Sequence, residues 1–291
     1  MFVLNVIGKG AAPEQFAKLG FGPVLILSPG HAFDLSLPGE NAAAILAEAR
    51  VLAEGLRLDI NLIAATNRRK KLLVADMDST IIAVECLDEL ADMAGLKPKI
   101  AILTEQAMKG EIEFEAALRE RVGLLKGLPL SALEKTWSER VRLSPGAKSL
   151  TATMRAHGAH TILVSGGAHY FTRRVARAAG FDEEYGNHLG DDGERLTGEI
   201  GEPFLGREGK WEVLKEAVIR RKLNFSEVLA VGDGANDLGM IAGAGKMGSL
   251  GVAYHAKPIL REAANAVIAH NDLTALLYLQ GYKDQDISQA A

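Results

Sequence analysis

Apolar and polar positions follow two regimes along the chain. Over the first 67 residues, short apolar runs carrying interior polar positions alternate with helical stretches. Phe2–Ile7 reads as a strand and Pro13–Leu19 as a short helix, with further strands at Pro23–Leu27 and Ala32–Leu37 around the Ser28-Pro29-Gly30 turn. The alanine-rich spacing over Glu40–Gly55 predicts a helix. Arg57–Ile63 alternates as a half-buried strand should. The resulting order, βαββαβ, is the ferredoxin-like pattern of a small α+β domain. The basic run Arg68-Arg69-Lys70-Lys71 then reads as a linker of solvated charge.

From Lys71 onward, apolar runs at Leu72–Ala75, Thr161–Val164 and Val228–Val231 each end in a polar or glycine-rich turn. Helical spacing at Tyr170–Ala179, Lys210–Arg221 and Asp237–Ala242 lies between or after them. Such alternation predicts an α/β domain, a doubly wound parallel sheet with helices on both faces. A mainly helical stretch at about 86–143 separates the first two strands. It is too long for a simple crossover and reads as a cap inserted over the sheet. The expected division is therefore 1–67 for the small α+β domain and 68–291 for the α/β domain with its cap.

Composition narrows the classes of partner. The chain has 291 residues, 48% apolar and 24% charged, with a formal net charge of −4 and no strongly basic block, so nucleic acid is not an expected partner. A single cysteine, Cys86, excludes an internal disulfide and fits a reducing compartment, where a small buried apolar residue is its expected role. No apolar run approaches the ~18 residues needed to cross a bilayer, and the N-terminus lacks the pattern of a signal peptide. The expectation is a soluble, cytoplasmic protein without membrane partners.

The chemistry gathers where strands end. Asp76 and Asp78, in Ala75-Asp76-Met77-Asp78-Ser79-Thr80, follow the first apolar run of the α/β region, and open α/β sheets bind ligands beyond the carboxyl ends of their strands. An Asx turn with a helix cap would explain the pair locally. Three further segments favour chemistry. Val231-Gly232-Asp233-Gly234-Ala235-Asn236-Asp237 brings two more carboxylates to the same edge. Leu163-Val164-Ser165-Gly166-Gly167 offers a hydroxyl and free backbone N–H groups before a helix, an anion site. Lys210, at the start of a helical stretch, reads by itself as a solvated surface lysine. A site for a phosphate dianion needs a fixed cation, and the assignment of that cation to Lys210 rests on family resemblance. Asp76 is the candidate nucleophile attacking phosphorus, and Asp78 the acid/base that protonates the leaving alkoxide and then activates water. Carboxylates gathered in this way need a hard cation such as Mg²⁺, with Mn²⁺ an alternative.

D-x-D-x-T, a Ser after the second strand, a Lys before the third and G-D-x-x-x-D, taken in that order, resemble the haloacid-dehalogenase superfamily of phosphotransfer enzymes. The resemblance implies that Asp76 is nucleophile and metal ligand. Asp78 becomes acid/base and a metal ligand through its backbone carbonyl, and Ser165 and Lys210 hold the phosphoryl group. Asp233 completes the Mg²⁺ site, with Asp237 behind it. The second aspartate argues for phosphate chemistry over dehalogenation.

The cap suggests the ester. Phe114, Leu118, Arg121 and Leu125 share one helical face, so Arg121 either snorkels or meets an anion in a cleft, and over a phosphate site the anion is favoured. Glu85, at a helix start, suits either the helix dipole or a substrate ammonium. D-M-D-S-T-I-I-A-V-E, M-K-G-E-I-E-F-E-A-A-L-R-E-R-V-G-L-L-K-G-L-P, V-S-G-G and G-D-G-A-N-D-L-G-M resemble the phosphoserine phosphatase family over about residues 72–282. That resemblance implies O-phospho-L-serine as substrate and the last step of serine biosynthesis as role. Glu85 would then sit on the substrate ammonium and Arg121 on its carboxylate, with Met108 and Phe114 lining the cap and Gly166 and Asn236 touching substrate or phosphate. A related phosphatase or phosphotransferase acting on phosphohomoserine is the alternative. Gly243-Ala244-Gly245-Lys246-Met247-Gly248 matches a dinucleotide-binding pattern in letters, but it follows a helix instead of a strand and is set aside. The first 67 residues look like ACT-type regulatory domains of amino-acid enzymes and show no ligand motif. The intact acidic constellation argues against a catalytically dead sensor, while serine feedback through this domain and a homodimer stay open.

Overall fold

A computed structural model describes residues 2–37, 41–109 and 111–289. The N-terminal sheet contains β1 (Phe2–Ile7), β2 (Val24–Ser28), β3 (Ala32–Leu37) and β4 (Asp59–Ala64) in the order β2-β3-β1-β4, with every neighbouring pair antiparallel. A short 3₁₀ helix at Pro13–Leu19 and α1 (Ala42–Leu52) complete the ferredoxin-like order. Side chains alternate across a strand, so Leu4, Val6, Phe33, Leu35 and Ile60 pack among the residues of those helices, including Phe16 and Ala49. Val3, Ile7, Ala32 and Ile63 face the other way, into the core shared with the rest of the chain.

The α/β region begins with β5 (Leu72–Ala75) and continues through four cap helices: α2 (Cys86–Met93), α3 (Lys97–Lys109), α4 (Phe114–Leu124) and α5 (Ser131–Arg140). There follow α6 (Ala147–Ala156), β6 (His160–Ala168), α7 (His169–Ala179) and β7 (Glu183–Asn187). A hairpin of β8 (Leu189–Asp191) and β9 (Leu196–Ile200) leads to α8 (Arg207–Arg220) and β10 (Val228–Gly232). The chain ends with α9 (Leu238–Lys246), β11 (Leu250–Tyr254), α10 (Pro258–Ala263), β12 (Ala266–Ile268) and α11 (Ala275–Leu279). The parallel sheet runs β12-β11-β10-β5-β6-β7. Leu73 and Ala75 point to the face covered by α6, α7 and α11, and Leu72 and Val74 to the face covered by α8, α9 and α10. Burial on both faces explains why these strands are continuous apolar runs without alternation. The central β5 has β10 on one side and β6 on the other, so the order of the chain reverses there and opens a crevice at its carboxyl end.

Only half of the basic run at residues 68–71 is solvated: Arg69 and Lys71 are exposed, in surface ion pairs with Asp286 and Glu227, while Arg68 and Lys70 turn inward. Arg68 pairs with Asp34 and donates to the Leu279 and Tyr278 carbonyls at 2.9 and 3.1 Å. Lys70 is buried, with its ammonium on the Asn67 and Ser226 carbonyls, each at 2.7 Å. Burial lowers the Lys70 pKa to about 8 against the opposing pull of Glu227. Arg68 turns inward because the N-terminal sheet carries buried Asn5, Asp34, Asp59 and Asn61 on its inward face. The Asn61 carboxamide donates to the Val267 carbonyl and accepts from its N–H, at 3.0 and 2.8 Å, and so completes the edge strand β12. Asp59 accepts from the backbone N–H groups of Ala269, His270 and Asn271. Polar residues at inward positions of three strands therefore weld the small sheet to the larger domain. Among the described residues, no helix is long and apolar enough to cross a membrane.

Candidate active site

Three adjacent strand ends supply the core of the site. Asp76 follows β5, Ser165 lies within β6 beyond the register pair Ala75–Leu163, and Asp233 follows β10. They line one cavity with Asp78, Gly166 and Asn236 from the same edge and with Glu85 and Arg121 from the cap. Leu87, Thr104, Leu118 and Gly167 complete the lining. The cavity is about 40 Å³, and a cleft of about 750 Å³ shares Glu85, Thr104 and Asp233 with it.

Around Asp76 the charge is concentrated. The Lys210 ammonium, fully buried, pairs with Asp76 Oδ1 and with Asp237 Oδ1 at 2.7 Å. Asp237 also accepts from the Asp233 and Gly234 N–H groups at 3.1 and 3.2 Å, which folds the acidic turn back on itself. A Cβ at Gly232 would stand 2.4 Å from Asp237 Oδ2, so this close approach requires glycine. Burial opposes the Lys210 charge, but Asp237 and Asp76 outweigh it and push the ammonium pKa up. Burial, and next the neighbouring Asp237, raises the carboxyls of Asp76 and Asp233 well above the ordinary aspartate range.

Asp78 is held differently. Its Oδ1 accepts from the Cys86 N–H at 2.9 Å and its Oδ2 from the Ser165 hydroxyl at 3.1 Å, while the Gly167 N–H donates to Ser165 Oγ at 2.9 Å. A side chain on Gly167 would meet Asp78 Oδ2 at 2.9 Å. Burial raises the Asp78 carboxyl pKa, with the Cys86 N–H acting against it. Ser79, at φ 55°, turns the chain so that its hydroxyl donates to Glu85 Oε1 at 2.8 Å. Cys86 is buried, as its apolar role requires.

The cap carries a charged group that the sequence pattern only half reveals. Arg121 is buried on the face shared with Leu118 and Leu125. Its Nη2 donates to Asp88 Oδ1 at 3.0 Å, and the Thr104 hydroxyl donates to the same oxygen at 2.8 Å. Glu85 is pushed up to about 7 by burial and then by Asp78, against Arg121. Asp88 and Thr104 are absent from the sequence-based candidates. Asp88 lies three residues after Glu85 and so on the same side of α2, a signal that was available; Thr104 had none. Asn187 is a third such residue: it donates to the Gly166 and Leu205 carbonyls, each at 2.9 Å, and ties the serine loop to the segment entering α8. Met108 lies in α3 and Phe114 opens α4; their side chains fall outside the described residues.

The donor set suits a hard divalent cation. Oxygens of Asp76, Asp233 and Asp237 lie within 4.8 Å of one another, all buried. Three carboxylates face one ammonium, an excess of negative charge that a divalent ion would offset. Asp237, already bonded to Lys210 and two backbone N–H groups, is the least free of the three. The Asp78 carboxylate is engaged with Cys86 and Ser165, so any contribution to a cation from that residue falls to its backbone carbonyl.

The pattern of the haloacid dehalogenase-like hydrolases matches residues 73–242, and a second pattern of the same description matches residues 208–279. A phosphoserine phosphatase from Archaeoglobus fulgidus is 41% identical over 246 residues, covering 84% of this chain and 70% of that protein. Among solved structures, a haloacid dehalogenase family hydrolase from Salmonella enterica serovar Typhi superimposes with a TM-score of 0.84 at 29% identity, over 96% of this chain and 98% of its own. The likeness therefore extends through the N-terminal sheet, beyond the stretch whose motifs are legible. A phospho-aspartyl intermediate analogue of a phosphoserine phosphatase aligns with a TM-score of 0.66 at 36% identity, over 72% of this chain and 98% of its own.

Proposed function

The chain belongs to the haloacid dehalogenase-like hydrolases, and on that premise we propose that it is a phosphoserine phosphatase that hydrolyses O-phospho-L-serine through an aspartyl-phosphate on Asp76. The observation that carries the substrate is the meeting, in one cavity, of Asp76, Asp78 and Ser165 from the sheet with Glu85 and Arg121 from the cap. A phosphorylated amino acid presents a phosphate, an ammonium and a carboxylate. The cavity presents an anion site, a carboxylate and a guanidinium.

Asp76 attacks phosphorus as the bond from phosphorus to the serine oxygen breaks, and Asp78 delivers its proton to that oxygen. A raised Asp78 pKa suits it to hold the proton beforehand. Asp78 then takes a proton from water, which attacks phosphorus and frees Asp76 and inorganic phosphate. Ser165, the Gly166-Gly167 backbone and the third N–H of the Lys210 ammonium orient the phosphoryl oxygens. Asp76, Asp233 and the Asp78 carbonyl would hold Mg²⁺, with Asp237 supporting Lys210 and the acidic turn. The cation supplies countercharge to the phosphoryl oxygens. EDTA should reduce turnover to background and added Mg²⁺ restore it; activity unchanged by exhaustive chelation would remove the metal from the account. The product, free serine, fits the end of a serine-forming route, and the single buried cysteine is compatible with a cytoplasmic setting.

Arg121→Ala tests the substrate class. Hydrolysis of O-phospho-L-serine should fall about 100-fold in kcat/KM, as expected when a buried charge-assisted contact is lost, while p-nitrophenyl phosphate, which has no carboxylate, should change far less. Equal losses on both esters would make Arg121 structural. Glu85 adds a pH signature. The ammonium needs the ionised carboxylate, so with a Glu85 pKa of about 7 the KM for phosphoserine, relative to p-nitrophenyl phosphate, should fall as pH rises from 6 to 8, by up to about 10-fold. Glu85→Gln should flatten that ratio. Because the folded-state value is raised, the stability this group contributes is complete below its ordinary 4.5 and is lost as pH rises through about 7.

A further inference from the structure

Arg121 reaches the cavity from α4 as a long side chain that could take several rotamers, and a guanidinium recognises a carboxylate well only when its planar fork is fixed. Its neighbours show what fixes it. Asp88 Oδ1, from α2, accepts from Arg121 Nη2, and the Thr104 hydroxyl, from α3, donates to that same oxygen. Three cap helices therefore converge on one carboxylate oxygen. Both charged groups are largely shielded, with side-chain exposures of 7% for Arg121 and 15% for Asp88. The Nε of Arg121 is buried and has no partner among the described residues. A guanidinium offers five N–H donors, and the Asp88 contact at Nη2 leaves Nε free for a ligand. Leaving a buried donor unpaired is costly, so an incoming carboxylate would remove an existing deficit.

We propose that Asp88, fixed by Thr104, is the positioning residue that presents Arg121 to the substrate carboxylate and thereby sets the preference for esters that carry one. The proposal rests on the phosphoserine reading of the cavity. Asp88 also neutralises Arg121 while the cavity holds no anion, so the guanidinium is never an isolated buried charge. A substrate without a carboxylate does not use this arrangement and should not register its loss.

The test compares O-phospho-L-serine with O-phosphoethanolamine, which keeps the phosphate ester and the ammonium but lacks the carboxylate. Asp88→Asn should lower the ratio of their kcat/KM values about 10-fold, through the KM for phosphoserine, with both parameters for phosphoethanolamine within about twofold of wild type. Thr104→Val keeps the ion pair and removes its clamp, together with the hydroxyl's 3.0 Å contact to the Ile100 carbonyl of its own helix. It should shift the ratio in the same direction by about threefold, and it decides the matter if Asp88→Asn does not fold. Losses shared equally by both substrates, or a ratio unchanged in both variants, would overturn the positioning role. Arg121→Ala, run alongside, separates the two levels. If it is selective and the Asp88 and Thr104 variants are not, positioning fails alone. If it is not selective, the substrate reading fails and the proposal with it.

Discussion

Asp76→Asn should abolish phosphatase turnover, with kcat falling roughly 10⁴-fold or more, as when a covalent nucleophile is removed. Phosphorylated enzyme should no longer be trapped by acid quench from phosphoserine. The fold should persist, because asparagine has nearly the same shape and Lys210 keeps its bond to Asp237. Removing one of three carboxylates that crowd a single ammonium relieves the repulsion that Asp237 and Asp233 exert on a charge at this position. That relief offsets the lost charge on the Lys210 bond, so stability should stay within about 1 kcal/mol of wild type. Intact-mass measurement after rapid quench reads the intermediate, and thermal unfolding reads the fold. A variant that folds and still accumulates phosphorylated enzyme would move the nucleophile elsewhere.

Lys210→Met should damage the protein in both respects. The ammonium is fully buried between Asp76 and Asp237, and removing one partner of a buried pair leaves uncompensated charge at a cost of about 3–5 kcal/mol. The deficit should depend on pH in a set direction. The Asp76 and Asp233 carboxyls are raised already and would rise further without the ammonium. A raised carboxyl contributes stability that is complete below its unfolded-state pKa and is lost as pH rises through the folded value. The variant should therefore lie closer to wild type at pH 5 than at pH 8, and Mg²⁺ should narrow the gap at pH 8. Urea midpoints at the two pH values, with and without Mg²⁺, measure this. A deficit independent of pH and metal would show that Lys210 matters for packing alone.

Where the fold was legible in sequence, the signals were local. Leu72–Ala75 and Val228–Val231 are buried on both faces, and the polar or glycine-rich residues after them mark the sheet edge at which Asp76 and Asp233 emerge. The cap was legible because nothing but helical spacing fills the interval between the first two strands. Strands β11 and β12 escaped notice because Leu250-Gly251-Val252-Ala253-Tyr254 is broken by a glycine and β12 has only three residues. Gly251 is small for a reason: a Cβ there would stand 2.6 Å from the Ile241 carbonyl of α9. Long-range pairing was beyond reach. Lys70 reads as a surface cation until Ser226 and Asn67 offer it carbonyls, and Arg68 until Asp34 arrives from β3. Lone polar residues at inward strand positions, Asn5, Asp34 and Asn61, were the available clue to that buried junction. In the site, charge type and strand ends placed Asp76, Asp78, Ser165 and Asp233 at one edge. The contact between Arg121 and Asp88 joins helices whose registers no local pattern fixes.

The most direct test is phosphate release from O-phospho-L-serine, phosphohomoserine and p-nitrophenyl phosphate, measured side by side with Mg²⁺ and with EDTA. A Mg²⁺-dependent kcat/KM for phosphoserine well above those for the other two is the predicted result. Preference for phosphohomoserine, or activity confined to p-nitrophenyl phosphate, would leave the catalytic sheet edge intact but contradict the pairing of Glu85 and Arg121 with the serine backbone.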